Sequence, residues 1–268
     1  MMNSIKVTQN NSIVTVSLNR PEKRNAFHPE MISEITKAFK SLAKDKTVRA
    51  VVLTGEGESF CSGGDLEWMK SMAKYSLKQN LQDATRLFDM YWAIRCCPVP
   101  VIGRVFGHGF GGGAGLVAVC DIVAAEQKTQ FCFSEVKWGL VPAVISPFVV
   151  EKAQAAWIRE WFLTARVFLA DEAVTGGLVG FAADQNDCDE FVEHTLKLIL
   201  AAAPDAVKQT KSLHQSYSTV DWKKAKAKVT KLIAQRRVSD EGQKGLKAFL
   251  EKRTPVWSES GYGAPAKV

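Results

Sequence analysis

Apolar and polar residues alternate over 5–9 and again over 12–18 (SIVTVSL), the period of strands with one buried face. Asn10-Asn11 between them supplies the residues of a tight turn. From Pro29 to Lys44 the period becomes helical: Met31, Ile32, Ile35, Phe39 and Leu42 form one stripe, and Lys37, Lys40 and Lys44 share another face. Val48–Thr54, broken only by Arg49, reads as a strand buried on both faces. A loop, GEGESFCSGGD, then leads to a helix from about Leu66. A longer helix is predicted over 77–96, stopped by Pro98 and Pro100. Val99–Phe106 is a further buried strand, followed by GHGFGGGAG and a short helix over 111–119 that is apolar all round and therefore buried. A strand, DIVAA, and the segment TQFCF follow. Strands alternating with helices argue for an α/β layered core over residues 1–188. From 189 to 268 the pattern is helical only, with helices predicted over 189–202, 204–217, 220–238 and 240–252 and a loose tail rich in Pro, Gly and Ser.

Composition narrows the class. The chain has 268 residues, 46% of them apolar and 24% charged, which excludes disorder for most of its length. The most apolar stretch, Gly109–Cys120, ends at Asp121, short of the roughly 18 residues a membrane span needs. The N-terminus has neither an apolar core with a cleavage site nor the Arg- and Ser-rich character of a transit peptide, so a cytoplasmic protein is expected. Six cysteines without a CxxC pair read as free thiols, and four histidines without HExxH spacing give no metal site. The net charge of +7 is uneven: residues 201–268 hold 14 of the 35 Lys and Arg but 6 of the 28 Asp and Glu. That surface either meets an anionic ligand or nucleic acid or is a solvated helical face.

Two glycine clusters carry the chemical signal. Gly63-Gly64-Asp65 and the run Gly107, Gly109, Gly111-Gly112-Gly113 each follow a buried strand and open a helix. Such loops leave backbone N–H groups pointing outward at a helix start. Two of them could aim two N–H groups at one oxygen, as an oxyanion hole requires, or could serve tight helix–strand packing. Gly107-x-Gly109-x-x-Gly112 with Glu126 beyond it imitates a dinucleotide-binding fingerprint, but it sits mid-chain and leaves Gly63-Gly64 without a role. No GxSxG elbow or GxxxxGK[ST] loop occurs. For acid/base work the candidate is Glu135, in FCFSEVKWGLVP, where apolar neighbours would raise its pKa; a glutamate opening a helix is also a common surface residue. Asp121 reads as a cap or ion-pair partner and Asp65 as a helix N-cap.

Taken together, LNRPEKRNAF (18–27), FCSGGDL (60–66), PVPVIGRVFGHGFGGGAGLVAVCDI (98–122), FCFSEVKWGLVP (131–142) and EGQKGLKAFLEKRTP (241–255) resemble the enoyl-CoA hydratase/isomerase (crotonase) family over nearly the whole chain. The resemblance implies a ββα superhelix with a C-terminal helical trimerisation segment, an acyl-CoA substrate, and a homotrimer or dimer of trimers. It implies no cofactor beyond the coenzyme A carried by the substrate, and no metal. It places the oxyanion hole at the amides of Gly64 and Gly112 and the catalytic carboxylate at Glu135. Coenzyme A contacts fall to Lys23, Arg24, Ala26, Ser62, Asp65 and Leu66, with Lys252-Arg253 reaching a neighbouring subunit's ligand. Trp68, Met69 and Met72 would line the acyl pocket.

Within the family, SGGDLEWMKSMA, SEVKWGLVPAVISPFVV and EGQKGLKAFLEKRTPVW resemble the bacterial methylglutaconyl-CoA hydratase branch of leucine breakdown, which implies hydration of 3-methylglutaconyl-CoA. Lys137 or Arg104 would then meet the second carboxylate. One departure stands out: the family's first catalytic glutamate falls on Gly115. That leaves Glu135 to act alone, a pattern it shares with single-glutamate enoyl-CoA isomerases. A third possibility, RNA binding through the face of Lys37, Lys40 and Lys44, is set against a solvated surface, and RNA is not expected as a partner.

Overall fold

The alternating N-terminus folds as its period predicts. In the computed structural model, which describes residues 4–72, 75–138 and 140–216 and the isolated positions 240, 244, 251 and 253, β1 (Ile5–Asn10) and β2 (Ile13–Leu18) form an antiparallel hairpin. Asn11 makes the turn with a left-handed φ of 53°. Helix α1 (Pro29–Leu42) opens on a proline, and Met31, Ile32, Ile35 and Phe39 are its buried stripe. Lys37, Lys40 and Lys44 are exposed. Next come β3 (Ala50–Gly55), the short α2 (Leu66–Met72) and the long α3 (Leu77–Arg95), which starts in a Ser76–Gln79 capping box. The prolines stop α3 and β4 (Val101–Val105) follows.

The glycine-rich stretch holds an element that its hydrophobic pattern did not announce, the three-residue β5 (His108–Phe110), before α4 (Gly112–Val119). Then come β6 (Ile122–Glu126), β7 (Gln130–Cys132), a 3-10 turn at Glu135–Trp138, α5 (Ser146–Lys152), α6 (Ala155–Thr164), β8 (Phe168–Leu169), α7 (Ala170–Thr175), β9 (Phe181–Ala183), α8 (Gln185–Ala201) and α9 (Pro204–Gln215). The helices expected over 220–238 and 240–252 lie outside the described residues.

Six strands form one sheet in the order β1-β2-β3-β4-β6-β9, parallel from β2 onward, because each return passes through a helix or a longer connection. A second sheet, β5-β7-β8, takes its first strand from inside the glycine run and pairs it with β7, which pairs in turn with β8. Contacts divide the chain into two compact units, Met1–Val192 and Glu193–Val268. The first contains the core: Val51, Leu53, Val101 and Val105 of the central strands, Leu116 and Val117 of α4, and Trp161 stacked on Phe168 at 4.2 Å. No helix among the described residues is long and apolar enough to cross a membrane.

Helix α4 is the pivot. Seven of its eight residues are buried, as an all-apolar helix must be. Its C-terminal carbonyls are met by the ammonium of Lys152, which donates to Val117 O at 3.1 Å and to Cys120 O. A cation there also suits the negative end of the helix dipole. Its N-terminus is the start of the candidate site.

Candidate active site

Two isolated backbone bridges hold the glycine loops, one tying Gly64 to Phe27 and the other joining the two glycine segments. Phe27 N–H donates to Gly63 O at 2.7 Å and Asp65 N–H donates to Phe27 O at 2.7 Å. In a parallel bridge of this kind the amide of the middle residue, Gly64, points away from its partner strand. The second bridge joins Cys61 to Gly109: Cys61 N–H donates to His108 O at 2.8 Å and Phe110 N–H to Cys61 O at 3.1 Å. Gly63 (φ +95°) and Gly111 (φ +48°) are the turn positions that need glycine's left-handed freedom. The loops touch: a Cβ on Gly63 would stand 3.0 Å from Phe110 O and 3.9 Å from Gly112 N. Gly112 is the first residue of α4, and no side chain caps that end, so the N–H of Gly112 has no partner within the helix.

Glu135 opens the 3-10 turn after β7 and lies against the same corner. Its Oε1 is 3.6 Å from the point where a Cβ on Gly111 would be, and its Oε2 is buried with no hydrogen-bond partner among the described residues. Burial pushes the carboxyl above the usual glutamate range, and only its own backbone N–H opposes the shift. The surface-residue reading of Glu135 therefore fails. This carboxylate is half-buried and placed beside the first turn of α4.

Gly115 is one turn further along α4, and the space beside it is full. A Cβ there would meet Ile145 Cγ2 at 2.5 Å and the Tyr91 ring at 3.0 Å. A glutamate at this position has no room unless those two side chains move.

The remaining predicted residues divide by location. Lys23 and Arg24 are exposed on a loop whose Arg24 and Asn25 have left-handed φ of 49° and 55°. Ser62 N–H donates to Arg24 O at 3.0 Å and its hydroxyl to Lys23 O at 3.4 Å, so the 23–26 and 62–66 segments run side by side. Ala26 is buried; Leu66 is 73% exposed. The Asp65 side chain is engaged inside the protein. Arg20 Nη2 donates to it at 2.9 Å, and the Glu67 N–H donates to its other oxygen at 2.8 Å, capping α2 as expected. Burial would raise its pKa, but Arg20 and the Glu67 and Trp68 amides outweigh that and hold the carboxyl below its usual range.

A cleft of about 320 Å³ opens beside this loop, lined by Arg20, Lys23, His28, Asp65, Trp68 and Tyr75. Trp68 is buried and Met69 packs over Gly64, with its sulfur 3.6 Å from a Cβ built there. The side chain of Met72 and the whole of Lys252 lie outside the described residues.

Arg104 is not available to a substrate. It is buried, with Nε 2.6 Å from Asp189 and Nη2 2.9 Å from Glu126, at the edge of a separate cleft shared with Phe106, Lys128 and Gln185. The same pair ties up Glu126, the carboxylate of the apparent dinucleotide fingerprint, and the second glycine of that motif, Gly109, lies within a strand, β5, that stands between Gly107 and α4. Lys137 is exposed on the turn that carries Glu135. Asp121 accepts from Val101 N–H at 2.7 Å and fastens the start of β4. Sequence reasoning missed Arg20, Asn25, Tyr91 and Ile145. Asn25 is fully buried and its amide donates to Glu56 O at 2.9 Å and Ser59 O at 2.7 Å, spanning the two loops. None of the four has a spacing that periodicity could detect, because each acts across the fold.

A glycine-framed helix start beside a desolvated carboxylate suits proton movement next to a carbonyl whose oxygen gathers charge. Residues 8–260 match the family model for enoyl-CoA hydratase/isomerase, and the chain belongs to that family. The crystal structure of an enoyl-CoA hydratase from Shewanella pealeana is 35% identical, with a TM-score of 0.91 over 95% of this chain and 96% of that one. The fold is thus the crotonase fold. Enoyl-CoA hydratase AKT6-1 of Alternaria alternata is 34% identical over 216 residues, 79% of this chain and 69% of that protein. The mitochondrial Delta(3,5)-Delta(2,4)-dienoyl-CoA isomerase of Mus musculus is 35% identical over 198 residues, 69% of this chain and 60% of that protein. Hydratases and isomerases are both among the relatives.

Proposed function

We propose that the protein is an acyl-CoA hydro-lyase that adds water across the α,β double bond of an enoyl-CoA thioester, with 3-methylglutaconyl-CoA as substrate. The observation that carries this reading is the desolvated carboxylate of Glu135 set beside Gly111-Gly112 at the start of α4. In the proposed step the Glu135 carboxylate takes a proton from water as the water oxygen bonds to the β-carbon. The π electrons move onto the thioester oxygen, where the amides of Gly64 and Gly112 stabilise the enolate. The carboxylic acid then returns the proton to the α-carbon, and the thioester carbonyl reforms. The loop of Lys23, Arg24 and Ala26 and the segment of Ser62, Asp65 and Leu66 would hold coenzyme A. Asp65 would contribute through its backbone, since its carboxylate is occupied by Arg20. Of the two cations considered for a second substrate carboxylate, Lys137 is retained on exposure and proximity to Glu135 in the chain. No cofactor beyond coenzyme A is required, and the assembly proposed is a cytoplasmic homotrimer or dimer of trimers.

A second reading, enoyl-CoA isomerase, is favoured by one observation: the place of a second carboxylate is filled by Ile145 and Tyr91. One base suffices to carry a proton between carbons. Two substrates separate the readings. Turnover of 3-methylglutaconyl-CoA or crotonyl-CoA to the 3-hydroxyacyl thioester supports hydration. Movement of the double bond of a 3-enoyl-CoA with no hydration of either substrate overturns it.

A further inference from the structure

We infer that Tyr91 is a positioning residue for the reaction: it holds the carbonyl of Gly112, and by fixing that residue's far side it steadies the N–H that Gly112 would offer to the oxyanion hole. Glycine supplies close approach at this helix start, but it supplies no rigidity. Gly111, Gly112 and Gly113 are consecutive, and the N-cap Gly111 brings no side-chain hydrogen bond. A hole stabilises charge only if its donors are aimed before the charge appears. The near side of Gly112 is held by the chain itself, since Gly115 N–H donates to Gly111 O at 3.2 Å and Gly111 N–H to Cys132 O at 2.8 Å; its far side needs a hold of its own. The Tyr91 hydroxyl, reaching across from α3, donates to Gly112 O at 2.8 Å. Its ring fills the volume beside Gly115, and it packs against Phe148 at 5.7 Å. Tyr91 is completely buried, so no solvent competes for that donor. Burial, reinforced by the nearby Cys61 and Glu135, keeps the phenol protonated well beyond its ordinary range, and it remains a donor throughout the working pH. The volume where the family's first carboxylate would project is thus occupied by a neutral side chain that acts on the hole.

This inference rests on the hydro-lyase reading, and the experiment separates the two. Tyr91→Phe keeps the ring and removes the hydroxyl. It is compared with wild type in hydration kinetics, in solvent-deuterium exchange of the α-protons of a saturated acyl-CoA, and in thermal melting. The α-proton exchange uses Glu135 and the hole but needs no water attack. The expected result is a roughly tenfold fall in kcat with KM little changed, as for loss of one buried hydrogen bond, and an equal fall in the exchange rate. Amide exchange at Gly112 and Gly113, read by NMR, is expected to accelerate, and this readout does not depend on activity. A variant with wild-type kcat and exchange, or one altered only in melting temperature or only in KM, overturns the role of Tyr91. A wild-type protein that neither hydrates an enoyl-CoA nor exchanges α-protons overturns the enzymatic reading itself.

Discussion

At the scale of single residues, Glu135 shows what the proposed role costs in stability. Its pKa is raised in the folded protein, so the native state binds its proton more tightly than the unfolded chain does. Stability contributed by this group is therefore greatest at low pH and falls as pH rises through the folded pKa. At neutral pH the ionised carboxylate is a net cost, imposed by burial without a partner for Oε2. Glu135→Gln is accordingly expected to raise the melting temperature at pH 7 and to lose that advantage on acidification, as followed by calorimetry. The same substitution is expected to lower kcat for hydration by at least about 10²-fold, since the position one turn along α4 that could offer another carboxylate is Gly115. The base must be ionised to accept that proton, so the acid limb of the kcat/KM profile is expected to lie above the ordinary glutamate range.

Helices and loops owe their placement to a few cross-links. Gly115 allows α4 to pass under Ile145 and Tyr91, so Gly115→Ala is expected to destabilise the protein by about 1–3 kcal/mol in denaturant melts. Gly115→Glu should cost more, and restoring space with Ile145→Ala should recover part of the loss. The Arg20–Asp65 pair does similar work between the 20–26 loop and α2, with side chains only 16% and 9% exposed. Arg20→Met would leave a largely buried carboxylate with one partner fewer, at a cost of roughly 3 kcal/mol. The decisive observation is the pH dependence of that loss. Asp65, no longer held down by Arg20, should shed the penalty once acid protonates it, so the variant's deficit should shrink at low pH.

Across the molecule, the first unit is held by a continuous core running from the hairpin through α4 to Trp161. Trp161 is fully buried, stacks on Phe168 and donates from Nε1 to Glu172 at 2.7 Å. Trp161→Ala is expected to cost about 3–5 kcal/mol, measured by chemical denaturation, while the glycine loops, built on other contacts, keep their local geometry.

The primary structure by itself determined the strand and helix order through β4 and then the buried helix α4, since period-2 and period-3.6 patterns reflect which faces must leave water. It also determined the two glycine clusters and the apolar setting of Glu135, because those are properties of neighbours in the chain. The short β5, β8 and β9 left no pattern, as two or three residues cannot establish a period. Only the tertiary structure decided that Gly63 abuts Gly112, that Glu135 faces Gly111, that Asp65 belongs to Arg20, and that Arg104 is closed off by Glu126 and Asp189. It also decided what stands beside Gly115: the sequence put a glycine there, and the fold filled the space beside it with Ile145 and a phenol that donates to Gly112. The reason is physical. Hydrogen bonds, desolvation and excluded volume act over a few ångströms of space, and the groups involved here are separated by up to 85 residues of chain.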